Sequence, residues 1–166
     1  DAIITENSSA INPYPLSTQS EVLNTAIEHA KKAYDLLPTH ENLKDMNGAV
    51  ITNRQVASKG TAAALLAHLY AWKGSVTELY SLQGNAQEDY QNAVNYASII
   101  INNQAGSYEL CSSPETLCEY LSDPSKTNPE AIFSLYFDKT RSSNVTSPNT
   151  IARNYVSWPV REDQQL

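Results

Sequence analysis

Residues 56–72 read VASKGTAAALLAHLYAW. Ala57, Gly60, Ala64, Ala67 and Ala71 recur at helical spacing and are all small. Leu65, Leu66, Leu69 and Trp72 form a second, larger apolar row. That period predicts a helix from about Arg54 to Trp72, stopped by Lys73-Gly74. A row of small residues lets a neighbouring helix approach closely, ridge into groove. Gly60 inside a helix costs about 1 kcal/mol against Ala, so it reads as a packing residue. Trp72, on the apolar side, is expected in the core.

Upstream, Thr18-Gln19-Ser20-Glu21 is a capping box. Val22, Ala26, Ala30, Ala33 and Leu37 follow as one stripe, flanked by Leu23, Ile27 and Tyr34. A first helix is predicted there, ended by Pro38. Residues 39–53 are mixed, with Asn47-Gly48 as a turn signal. Downstream, residues 74–85 read as a loop bounded by Gly74 and Gly84. Asn85-Ala86-Gln87-Glu88 is a second capping box. The helix it opens runs to about Asn103, with Tyr90, Ala93, Val94, Ala97, Ile100 and Ile101 as its stripe. Residues 1–16, with Pro13 and Pro15, read as an extended arm. Residues 107–166 are punctuated by Pro114, Pro124, Pro129, Pro148 and Pro159. Within them Glu115–Leu121 suggests one or two helical turns, and Ala131–Phe137 (AIFSLYF) an extended segment or strand.

Three sets of residues fit the spacing of tetratricopeptide helices: Ala26, Ala30, Ala33 and Pro38; Leu66, Ala67 and Tyr70; Ala93, Ala97 and Ile100. The connection from Tyr70 to Ala93 is longer than that repeat allows. Small residues at these intervals also occur in any packed helix. The expected fold is mainly α: tetratricopeptide-like packed helices with long loops and a short extended segment near 131–137. It is read as one helical domain or a fragment of a larger one. Its arm spans 1–16, its helical core 17–106 and an irregular segment 107–166.

The chain has 166 residues, which favours one domain. Only 17% are charged, against about 25% in an average domain. Ser, Thr, Asn and Gln number 53, leaving a polar, weakly charged surface. The net charge is −7, and no basic cluster exceeds Lys31-Lys32. Nucleic acid and anionic membrane surfaces are therefore not expected partners, because both need concentrated positive charge. No apolar run approaches the roughly 20 residues of a membrane span. Cys111 and Cys118 lack the histidine neighbours of a zinc site; a short disulfide loop and two free thiols both stay open. His29, His40 and His68 are scattered. No phosphate loop, nucleophile elbow or metal-ligand spacing appears, so no catalytic residue, metal or cofactor is expected.

Ten tyrosines and two tryptophans outnumber two phenylalanines. Tyr and Trp combine a flat apolar face with a polar handle. Beside amides, that combination suits sugar rings. Residues 153–158 (RNYVSW) have this composition, and loops carry binding residues. Trp158 and Tyr155 are the candidate stacking residues, with Asn154 as their hydrogen-bonding neighbour. The alternative is that these aromatics cover core.

Four segments, in order, resemble the SusD/RagB family of outer-membrane glycan-binding lipoproteins of Bacteroidetes. They are Asn12–Leu16 (NPYPL) with the helix ending Leu36-Leu37-Pro38; Val56–Tyr70 (VASKGTAAALLAHLY); Tyr90–Tyr108 with Tyr108-Glu109-Leu110; and Asn128–Phe133 (NPEAIF). Together they span 12–137. The resemblance implies a tetratricopeptide-like scaffold on the cell surface at the outer membrane. It implies a non-catalytic part in polysaccharide or oligosaccharide uptake beside a TonB-dependent transporter. The family's lipid-bearing cysteine has no counterpart at the start of this chain, which reads as a middle fragment. The family's ligand residues lie in variable loops, so none is carried over. A tetratricopeptide-like scaffold for protein–protein interaction is the alternative.

Overall fold

The computed structural model describes residues 3–4, 15–123 and 126–134, and these fall in the first of two units, which divide after Ser134. The described chain is mainly helical: α1 Gln19–Leu36, α2 Lys59–Leu79, α3 Ala86–Ile101 and α4 Pro114–Ser122, with one 3₁₀ turn at His40–Asn42. Helix α2 packs against both α1 and α3.

Helix α1 starts where its capping box predicts. The Glu21 N–H donates to Thr18 Oγ1 at 3.3 Å, and the Thr18 N–H donates to Glu21 Oε2 at 2.7 Å. These bonds hold the Glu21 carboxyl below its ordinary value, chiefly through the Thr18 backbone. A cap of this kind contributes about 1 kcal/mol. Leu37 turns extended ahead of Pro38, which disfavours helix in the residue before it. The buried line is Leu23, Ile27 and Ala30. The core axis therefore takes Leu23 and Ile27 from the expected flank and Ala30 from the expected stripe, because Leu and Ile bury more apolar area than Val22, Ala26 and Ala33 do.

Helix α2 departs from expectation at both ends. It begins at Lys59, not Arg54: Ser58 is the N-cap, in a capping box with Thr61, and Ala57 lies outside the helix. It also runs through Lys73-Gly74 to Leu79, leaving only residues 80–85 as the connection to α3. Gly74 lies within the helix, where the Tyr90 ring packs over it; a Cβ there would sit 2.8 Å from Tyr90 Cε1. Gly60 is covered likewise by Tyr108, whose Cζ would lie 2.6 Å from an added Cβ. The helix ends in a Schellman motif. Leu82 N–H reaches Thr77 O at 3.0 Å, and Ser81 takes the left-handed φ of 50°. Helix α3 ends the same way. Gln104 N–H bonds Ile99 O at 2.9 Å, with Asn103 at φ 56°.

The core is Ile27 and Ala30 from α1 with Leu66 and Tyr70 from α2; Tyr34, Leu69, Ala93 and Tyr96 pack around them. Leu66 is fully buried, whereas Trp72, expected in the core, is 60% exposed. Trp72 and the half-exposed Leu65 share a face with Leu79, at spacings of seven, that points away from α1 and α3. Val94 and Ile101 of the expected α3 stripe are exposed as well.

Residues 39–57 fold over the start of α2. An antiparallel bridge joins Lys44 to Val50 around a turn at Asn47-Gly48. Asp45 Oδ1 accepts from the N–H groups of Asn47 and Ala49, both at 2.8 Å. Arg54 is buried, with its guanidinium 5.0 Å from the Tyr108 ring centre and its Nη2 donating to Ser107 O at 3.4 Å. Glu41 Oε1 accepts the Ser107 N–H at 2.7 Å. Residues 126–134 close against the same region: Thr127 Oγ1 donates to Thr52 O, and Ser134 N–H to Arg54 O. Asn128 and Glu130 of the NPEAIF segment are braces. Asn128 Oδ1 takes the Glu130 N–H, and Glu130 Oε1 takes the Cys111 N–H at 2.6 Å.

Ile132 and Phe133 are bends, and Ala131–Ser134 have no ladder pairing, so no strand forms among the described residues there; 135–137 lie outside them. Ser134 spends its N–H on the Arg54 carbonyl instead of a neighbouring strand. In the segment read as irregular, α4 forms a full helix, capped by Ser113 and opened by Pro114. Cys111 and Cys118 are free thiols. Residues 1–2 and 5–14 of the expected arm, and residues 138–150, lie outside the described residues.

Buried His40 donates through Nε2 to Thr52 O, 3.3 Å away. Burial, then the Arg54 charge, push its pKa below the ordinary histidine value. The unfolded chain thus binds the proton more readily than the folded one, and stability rises with pH. His40 should therefore contribute stability above about pH 6.5, lost as pH falls below that value. Thermal melts from pH 7.5 to 5.5 should show the loss, and His40→Gln should flatten it. Glu21, Glu28, Glu41 and Glu115, all held below the usual carboxylate value, act in a separate, lower window. An unchanged slope in His40→Gln would assign the effect elsewhere.

Candidate functional site

Among the described residues, the three long helices line a polar cleft of about 380 Å³, at the small end of ligand-site volumes. Lys31 comes from α1, and Tyr70 and Lys73 from α2. Glu88, Asp89, Asn92 and Tyr96 come from α3, with its N-cap Asn85. The α3 residues recur every three or four positions, which places them on one face of that helix. Asn85 Oδ1 caps α3 by accepting the Glu88 N–H at 3.3 Å. The cap thereby fixes where the polar face of α3 begins.

Tyr70 and Tyr96 line the cleft, and Tyr34 packs against Tyr96 behind them. The Tyr70 and Tyr96 rings stack at 5.9 Å and 11°, and Tyr34 meets Tyr96 edge-on at 5.8 Å and 81°. Such pairs contribute about 0.5–1.5 kcal/mol beyond their buried area. Two ammonium groups sit on the outer faces: Lys31 Nζ lies 5.6 Å from the Tyr70 centre, and Lys59 Nζ 4.8 Å from the Tyr34 centre. The Tyr70 side chain holds the Lys31 ammonium above its ordinary value, and burial raises the Tyr96 phenol. Near neutral pH Lys31 is charged and Tyr96 is not.

Asp89 is buried and pairs with Lys73, Nζ to Oδ1 3.3 Å. A buried carboxylate without a partner would be costly, and the Lys73 ammonium offsets that cost. The cleft thus presents ammonium and amide donors beside carboxylate and amide acceptors.

None of these eight residues was a sequence candidate. In the sequence Asn85 and Glu88 read as a capping box, and Tyr70 as part of a repeat motif. The available signal was the polar recurrence Asn85, Asp89, Asn92, Tyr96 along α3. Trp158, Tyr155 and Asn154 lie outside the described residues. Trp72 is exposed but does not line the cleft. His29 and His68 are exposed on α1 and α2, apart from it. Among the described residues no group of three or more His, Cys, Asp or Glu is placed to hold a metal ion. No helix among them is long and apolar enough to cross a membrane. Comparison with family models, curated proteins and solved structures finds no match to this chain.

Proposed function

We propose that the chain belongs to a non-catalytic, surface-exposed glycan-binding protein. It would act in polysaccharide or oligosaccharide uptake with a TonB-dependent outer-membrane transporter, held at the membrane by a lipid anchor on the parent protein. The observation that carries the reading is the cleft, where tyrosine rims, amides and opposite charges from three helices meet around a space sized for a small polar ligand. Hydroxyl-rich molecules need this mixture of donors and acceptors. The ordered sequence resemblance supports the same reading.

The test is native electrophoresis of the purified protein through gels containing a panel of polysaccharides. Retardation by at least one polysaccharide is the expected result. Normal migration through every gel, with the fold intact by circular dichroism, would refute the reading. The exposed Leu65, Trp72 and Leu79 row favours the second reading, a scaffold for protein interaction. It predicts normal migration in every gel together with a partner lost on Trp72→Ala.

A further inference from the structure

Resting on the glycan-binding reading, we propose that the cleft takes a neutral sugar residue by its hydroxyls, through the polar rim of the site. Acidic sugars are rejected, and ring stacking is not the mode of recognition. The first argument is charge. Lys73 and Asp89 neutralise one another at 3.3 Å, which leaves Lys31 and Glu88, of opposite sign, to meet a ligand. A uronate or sulfate group needs a surplus of cations, best supplied by the bidentate fork of arginine. Among the described residues no arginine lines the cleft, and two carboxylates do. The chain as a whole carries −7, which repels a polyanion before it arrives. A hydroxyl, both donor and acceptor, satisfies Lys31, Glu88 and Asn92 alike, and hydrogen bonds to charged groups are the strong ones.

The second argument is the state of the rings. Tyr96 lays a face on Tyr70, and Tyr34 meets it edge-on. Tyr70 is only 6% exposed, with the Lys31 ammonium over its ring. Of the two rings that line the cleft, Tyr70 is buried and Tyr96 spends one face on it, which leaves little aromatic surface for a sugar ring. A site that reads hydroxyls through buried or charged partners discriminates strongly against analogues that lack or misplace one. The cleft should therefore separate epimers.

The test is calorimetric titration of the full chain with gluco-, manno-, xylo- and galacto-oligosaccharides and with oligogalacturonate. A neutral oligosaccharide should bind, distinguishing epimers, and oligogalacturonate should not. Glu88→Gln and Asn92→Ala should each weaken binding, Glu88→Gln by about tenfold or more, with melting temperatures near that of the parent. Trp72→Ala, which removes an exposed stacking surface outside the cleft, should leave affinity unchanged. Binding of oligogalacturonate alone would overturn the inference, and so would neutral binding untouched by both cleft variants. Either result leaves glycan binding standing. No binding to any of these sugars would overturn both.

Discussion

Leu66→Ala should lower unfolding free energy by about 2–5 kcal/mol in chemical denaturation. Leu66 is fully buried in α2, in the cluster with Ile27, Ala30 and Tyr70. Truncation removes its transfer energy and leaves a cavity that two neighbouring helices cannot readily fill. A domain of ordinary stability has only about 5–15 kcal/mol to lose. Leu65→Ala is the internal control: the same chemistry one residue away, at a side chain 50% exposed, should cost far less. Similar losses from both would place the core on a different face of α2.

The second large effect has an unusual sign. Gly→Ala inside an exposed helix normally stabilises by about 1 kcal/mol. Gly60→Ala should instead destabilise by about 1–3 kcal/mol, because the new methyl would fall against the Tyr108 hydroxyl and 2.6 Å from its Cζ. The obstacle is a single side chain, so the two positions must couple. In a Tyr108→Ala background the same Gly60→Ala change should become neutral or stabilising, and a double-mutant cycle measures the difference. Additive effects would mean that something other than Tyr108 fills the space over Gly60.

Local signals were the readable part of this fold. Thr18 with Glu21, and Asn85 ahead of Glu88, announce their helices because capping is a matter of neighbouring residues. The start of α2 was misplaced because apolar spacing continues back through Ala57. Its true capping box, Ser58 with Thr61, replaces the usual Glu with a β-branched hydroxyl residue. Its end was misplaced because Gly74 signals a stop locally, and only the Tyr90 ring, from another helix, explains a glycine in mid-helix. Trp72 shows the same limit: period assigns a residue to a face, but not which face the neighbours cover. The cleft was illegible for the same reason. Its eight residues come from three helices and converge only after packing.

Arg54, Thr52 and Thr61 are tied to Ser107, Thr127 and Ile132, partners 53 to 75 positions further along the chain. The contacts among α1, α2 and α3 join elements consecutive in sequence. Closing a long loop costs more entropy than docking adjacent helices. The helices should therefore assemble early, and the 105–110 and 126–134 segments should fasten last and release first. Gly60, beneath that fastening, and Tyr70, in the cleft wall, are ten residues apart on α2, about 15 Å along its axis. Transient opening of the fastening would leave the cleft formed. In native-state amide exchange, the first turn of α2 should lose protection at lower free energy than the turn around Tyr70.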